Sequence, residues 1–247
     1  MDSNDSSQNP WMMVSVFLVG GILGYMIGLW SPGTVGAPSA DGGEATLAEQ
    51  QDTTGLSQDE KLFNAFQASS PVDVSEDGNP FIGDKDAPIT VVEFSDYQCY
   101  YCRKFSSDTL PSIIQNYVDK GKVKLVYRDR VAFPNSKAAA QAAECAGKQD
   151  AYFLMHDVLF RETDWTSASD PTTLFVGYAA NLDLDEEEFA ACLQDPKVAQ
   201  EIEDDNTNAL EVGARGTPTF FINGKRLVGA QPYPLFSKIF DAMLKDL

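Results

Sequence analysis

The sequence predicts an α/β fold: a central mixed sheet with an inserted helical subdomain, preceded by one N-terminal transmembrane helix. Three observations carry this. An apolar, β-branched run, Ile89-Thr90-Val91-Val92, leads into a helical pattern and then a second strand, Val123 to Tyr127. A further strand, Thr219 to Ile222, turns at Asn223-Gly224 and returns through Arg226-Leu227-Val228 before an amphipathic end helix. Between these halves, residues 135–212 carry helical periods and no strand pattern. A strand-helix-strand unit of this length implies parallel pairing with a right-handed crossover, whereas a two-residue Asn-Gly loop joins antiparallel strands.

The 247 residues suggest one to two domains. A hydrophobic fraction of 43% is enough for a real core. The formal net charge of −19 argues against nucleic acid or anionic lipid as a partner. Four cysteines are too few for a disulfide-scaffolded miniprotein; they suit a globular enzyme with one or two bridges.

Residues 1–10 form a short polar N-terminus. Residues 11–30 carry no charge, and twenty residues at 1.5 Å each span a bilayer core of about 30 Å. Trp11 and Trp30 suit the two interfaces. A cleavable signal peptide is the rival reading, but its apolar region is shorter and follows a basic start. Residues 1–10 have no Lys or Arg, so a retained single-pass anchor is expected. Residues 31–70, acidic and rich in Gly, Ala and Ser, read as a flexible linker. Within it, Ser57 and Glu60 have the spacing of a capping box for a short helix through Phe63 and Phe66.

The folded domain is expected over 71–247, with a short first strand at Val72-Asp73-Val74. Turns follow at residues 77–80 and 84–88. Pro111 predicts a kink in the first helix after the strand. In the insertion, Asp170-Pro171 reads as a cap with proline at the first helical position, Asp185 caps a run of three glutamates, and Pro196 opens a helix reaching Leu210.

Cys99 and Cys102 sit where the buried strand hands over to a helix. Cysteines three apart in a first helical turn share a face, within the Cα separation of about 4.4–6.8 Å that a disulfide needs. At the helix start, unpaired N–H groups and the dipole favour an anion, so Cys99 is the expected nucleophilic thiolate. Cys102, one turn inside, is expected to be buried and to act as the resolving thiol. Cys-x-x-Cys at such a junction reads as a redox motif whose only cofactor is its own disulfide.

Two motifs then carry a resemblance: Glu93-Phe94-Ser95-Asp96-Tyr97-Gln98-Cys99 with Cys102, and residues 216–224, Gly-Thr-Pro-Thr-Phe-Phe-Ile-Asn-Gly. Together they resemble the DsbA-like thioredoxin-fold disulfide oxidoreductases, in the membrane-tethered or secreted branch that includes BdbD-type proteins. The resemblance covers 71–247, insertion included. It implies a thioredoxin fold and a cis Pro218 beside the cysteines, with Thr217 facing substrate. It also implies that Glu93 is a buried acid/base beneath the cysteines; strand alternation alone also allows a solvent-facing side chain. Tyr100 and Tyr101 replace the family's usual proline-containing dipeptide and would face substrate. The Tyr100 N–H is expected to give the Cys99 sulfur an extra donor. Cysteines in the helical insertion are common in the family, which implies a structural Cys145–Cys192 disulfide, with paired free thiols as the alternative.

The resemblance implies an enzyme that introduces disulfides into exported proteins, acts on thiol-containing unfolded chains, and is re-oxidised by a DsbB-like membrane quinone reductase. The catalytic domain would lie on the extracytoplasmic side of the cell membrane. The same parts run in reverse give a reductase or isomerase. A membrane-tethered copper chaperone using the two thiols, and a scaffold that only binds unfolded chains, are the readings from other classes. No metal site is expected, and His156, the single histidine, reads as structural.

Overall fold

The structure is a computed structural model that describes residues 55–76 and 78–246. The expected membrane span at 11–30 lies outside them, as do residues 1–10 and most of the linker. No helix among the described residues is long and apolar enough to cross a membrane.

The chain runs α1 (Gln58–Ala68), β1 (Phe81–Ile82), β2 (Ile89–Ser95), α2 (Tyr100–Asp108), α3 (Leu110–Ile113), a π-helical turn (Ile114–Val118) and β3 (Val123–Asp129). The helical block follows: α4 (Ser136–Gly147), α5 (Tyr152–Arg161), a 3-10 turn (Asp164–Ser167), α6 (Thr172–Asn181), α7 (Glu186–Cys192) and α8 (Pro196–Glu211). The hairpin β4 (Thr219–Ile222) and β5 (Lys225–Val228) and the helix α9 (Tyr233–Lys245) close the fold.

The five strands lie in the order β1-β3-β2-β4-β5. β2 and β3 are parallel; the other three pairings are antiparallel. β2 is therefore central, and its alternating residues feed two cores. Ile89 and Val91 face a cluster with Phe105, Phe220, Phe236 and Phe240, while Val92 and Phe94 pack with Val126, Phe221 and Ala209. A third core fills the helical block around Trp165, Phe175 and Phe189. Small alanines on α4, five of them fully buried, let its neighbours approach closely. The Trp165 indole N–H donates to the carbonyls of Leu159 and Glu162, so its large ring is buried without an orphan donor.

One ionic contact ties the block to the sheet. Arg128 on β3 donates to Asp205 and Asn208 of α8 and to the Ser75 carbonyl, with Asp205 accepting from Nε at 3.0 Å and Asn208 from Nη1 at 2.7 Å. Both charged groups are nearly buried. Removing one partner of such a pair leaves an uncompensated charge, which typically costs about 3–5 kcal/mol.

The structure corrects the predicted boundaries. The linker does not extend to residue 70: Ser57 and Glu60 form the capping box, and α1 buries Phe66 with Leu62 and Phe63 against the cluster that includes α9. Val72-Asp73-Val74 is not a strand. It makes one backbone bond to the hairpin, Val72 N–H to Gly224 O at 2.9 Å, and no ladder. The first strand is Phe81–Ile82. Pro171 stands at the N-cap of α6, one place earlier than expected, with the Asp170 carboxylate accepting from Thr172 N–H. The helix break falls at Thr109, and Pro111 then sits in the first turn of α3, where its missing N–H costs nothing. Asn223 and Gly224 take φ of 45° and 80°, the positive pair that a tight antiparallel hairpin requires.

Cys145 and Cys192 form a disulfide across α4 and α7, 47 residues apart. Closing a loop of that length removes about 4 kcal/mol of unfolded-state entropy in the chain-entropy model. Replacing both cysteines with alanine is expected to lower the urea unfolding free energy by about 2–4 kcal/mol. Peptide mapping without reductant is expected to recover the two cysteines joined; free alkylation of both in the oxidised protein would contradict the bridge.

Candidate active site

The site is built at the C-terminal end of β2. A buried aspartate, Asp96, shapes the loop that follows: its carboxylate accepts from Gln98 N–H (2.7 Å), Ala132 N–H (2.8 Å) and Ser136 Oγ (2.7 Å). Its carbonyl accepts from Cys99 N–H at 3.0 Å. Burial raises the Asp96 pKa, and these bonds oppose the rise. Gln98 then links the loop to the helical block, donating to Thr166 O and accepting from Asn135 N–H. The sequence reading passed over Asp96; an Asp three residues before a helix start was its only signal.

This loop delivers Cys99 to the N-cap of α2 and Cys102 to its first turn. Both are free thiols, and Cys102 is fully buried. The Cys99 pKa falls to about 6. The Cys102 thiol donating to the sulfur is the largest cause; Thr217 and the N–H groups of Cys102 and Tyr101 add to it, against the cost of burial. The Cys102 pKa moves well up, through burial first and then through its bond to Cys99.

The expected donor at Tyr100 is corrected here. An N-cap side chain is reached by the amides at the second and third helical positions, not the first. Those are Tyr101 and Cys102, and Tyr100 occupies the first position, where proline would also fit. The two tyrosines are instead exposed, Tyr100 at 68% and Tyr101 at 59%, beside the helix start. Lys104 pairs with Asp108 one turn further on.

The second motif comes back to the same sulfur. The Thr217–Pro218 peptide is cis, and the Thr217 carbonyl lies 3.5 Å from Cys99 Sγ. The loop is pinned by Thr219 Oγ1 donating to Gly216 O and by Gly229 N–H donating to Pro218 O. The two stretches, 118 residues apart, thus meet at one atom.

Glu93 does not face solvent. It is 2% exposed, at the centre of the sheet between Tyr127 on β3 and Phe220 on β4. Burial raises its pKa to about 8, so the carboxyl is largely protonated at neutral pH. His156 is buried among Tyr97, Tyr127, Phe153 and Phe160, with Nδ1 2.9 Å from Asp157. Its ring neighbours are aromatic side chains and not the two sulfurs. Among the described residues no group of three or more His, Cys, Asp or Glu is placed to hold a metal.

A Cys-x-x-Cys helix start opposite a cis-proline loop, on a strand-helix-strand half joined to a hairpin-helix half, defines a thioredoxin-fold protein. A family model described as thioredoxin matches residues 75–242. Disulfide bond formation protein D of Bacillus subtilis is 31% identical over 183 residues, covering 68% of this chain and 78% of the relative. The crystal structure of oxidised BdbD from Bacillus subtilis aligns with a TM-score of 0.66 at 28% identity, covering 72% of this chain and 98% of that one. The chain belongs to the thioredoxin family, on its DsbA-like branch. A sodium/proton antiporter, NhaA 1 of Salinispora arenicola, is 35% identical over 162 residues; the chain matches 64% of its own length there and spans 24% of that relative's.

Two measurements test this geometry. Tyr100→Pro is expected to leave the pH midpoint of Cys99 alkylation near 6, because both amides that reach the sulfur remain; a midpoint raised by a unit or more would restore the Tyr100 donor. Folded Glu93 titrates near 8 against an ordinary 4.5. Between those values the folded chain holds the extra proton, so its stability falls as pH rises. The stability advantage of wild type over Glu93→Gln is therefore expected to shrink by up to about 1.4 kcal/mol per pH unit across that window in urea unfolding of the reduced protein. Parallel curves would mean that Glu93 is ionised throughout.

Proposed function

We propose that the protein is a thiol-disulfide oxidoreductase that introduces disulfides into exported proteins. The observation that carries this is the Cys99 sulfur, held as a thiolate at a helix start and faced by the Thr217–Pro218 peptide. In the oxidised enzyme a substrate thiolate attacks Cys99 Sγ. The Cys99–Cys102 bond breaks, a mixed disulfide forms, and Cys102 leaves with the electron pair. A second substrate thiolate attacks the substrate sulfur and releases Cys99. The substrate has lost two electrons, and the cysteine pair holds them.

Each part has a role in this sequence. Cys99 carries the sulfur that substrate attacks and is then the leaving group, for which its low pKa suits it; in the reverse, reducing direction it is the nucleophile. Cys102 is the resolving thiol. Neutral Glu93 supplies the proton that Cys102 needs once it is expelled. Thr217 and Pro218 offer backbone to an extended substrate chain, and the exposed rings of Tyr100 and Tyr101 offer it apolar contact.

The enzyme would be held at the membrane by residues 11–30, with this domain on the extracytoplasmic side. The uncharged Trp11 to Trp30 stretch supports the anchor, and the Cys145–Cys192 bridge suits an oxidising compartment. A membrane quinone reductase of the DsbB type would take up the electrons.

The deciding measurement is the equilibrium of the Cys99–Cys102 couple with glutathione. Stabilising one thiolate stabilises the reduced form, so an oxidising potential is expected, above about −200 mV. A value near that of thioredoxin, about −270 mV, would make the protein a reductase instead.

A further inference from the structure

One buried side chain has no part in the scheme so far. Ser95 is the last residue of β2 and is 0% exposed. Strand alternation places it on the same side as Ile89, Val91 and Glu93, the side against which Phe105 of α2 packs. Cys102 is one helical turn before Phe105 on the same helix. The Ser95 hydroxyl makes no hydrogen bond of normal length among the described residues. On that side, the Glu93 carboxyl and the Cys102 sulfur are two groups whose pKa its hydroxyl lowers. A buried hydroxyl without a settled partner is destabilising and calls for an explanation. A serine hydroxyl both donates and accepts, so between an acid and a sulfur it can pass a proton in either direction.

We propose that Ser95 is the proton relay between Glu93 and Cys102. The proposal rests on the reading of Cys99 and Cys102 as a redox couple. When a substrate sulfur bonds to Cys99, Cys102 leaves as a thiolate. The Ser95 hydroxyl gives that sulfur its proton and takes one from the neutral Glu93 carboxyl, which becomes a carboxylate. In the reverse step the Cys102 thiol passes its proton through Ser95 to the Glu93 carboxylate. The freed Cys102 sulfur then attacks Cys99, and the substrate departs as a thiolate. Of the other groups packed on Glu93, Phe220 on β4 has no proton to give, and Tyr127 on β3, also a buried hydroxyl without a partner, is the rival. Tyr127→Phe is expected to keep the wild-type release rate, and slowing in it in place of Ser95→Ala would overturn the assignment.

The test uses the full chain with Cys99 held as a mixed disulfide with glutathione, and follows glutathione release across pH. Ser95→Ala is expected to slow release near neutral pH on the order of tenfold. Ser95→Thr, which keeps the hydroxyl, is expected to stay near the wild-type rate. In a Glu93→Gln background, Ser95→Ala is expected to add almost nothing, because the two act on one proton path. In the wild type, release rates in mixtures of light and heavy water are expected to curve with deuterium content, since two protons move together. That measurement needs no variant to fold. Wild-type release from Ser95→Ala, equal slowing in both backgrounds, loss in Ser95→Thr, or a linear isotope dependence would overturn the relay. Failure of the wild type to release glutathione at all would overturn the redox couple and the relay together.

Discussion

The structure depends on how one sulfur is solvated. Cys99 stands at the open end of α2, where helix geometry leaves amides without partners. Water would otherwise satisfy those groups; here the Tyr101 and Cys102 N–H groups and the Cys102 thiol meet a sulfur anion instead. The arrangement favours charge at Cys99 although the residue is buried, because directed donors outweigh desolvation at this position. Three residues further on the balance reverses. Cys102 has lost its water and gained no comparable donors, so its proton is held more tightly. Two chemically identical thiols in contact are thus made unequal by their place in one helical turn.

That inequality needs a proton donor inside the protein, and the sheet supplies it. β2 is covered on both faces and paired on both edges, so a carboxyl there cannot reach solvent. Glu93 remains neutral for the same reason that Cys102 does. An exposed glutamate would ionise near its ordinary value, leaving little neutral acid at pH 7. The central position of the strand, set by hydrophobic pairing with β3 and β4, is therefore also what sets the proton affinity of the acid.

Much of this was legible in the residues. The β-branched run, the Cys-x-x-Cys spacing and Asn223-Gly224 each act through short-range geometry, and each predicts its own structure. What was not legible depends on distant partners. Phe63 and Phe66 form too narrow an apolar stripe to tell a docked helix from part of a tether; α9 decides it. Val72 to Val74 alternates like a strand, and Val74 packs on the core, but the segment forms no ladder and bonds to the hairpin backbone at Gly224. Arg128 and Asp205 give no local signal, being 77 residues apart. The Tyr100 donor was misassigned for a different reason. Proximity in sequence suggested the first amide, whereas an N-cap side chain reaches back to the second and third. Asp96 and Ser95 were both inside a quoted motif, yet their roles emerge only when α4, β3 and α2 are packed around them.

The polar residues of β2 also show where local rules give way to chemistry. A strand buried on both faces reads best as a continuous run of Val, Ile and Phe, and Ile89 to Val92 nearly does. Glu93 and Ser95 interrupt that pattern at its C-terminal end, and Asp96 follows directly, next to the cysteines. Asp96 is fully hydrogen-bonded, so its burial is offset and it serves to hold the loop. Glu93 and Ser95 are not offset in this way. A sequence selected for stability alone would place apolar side chains there. Their presence beneath Cys102 marks the part of the fold where a less stable arrangement is retained, and it lies where a proton has to move.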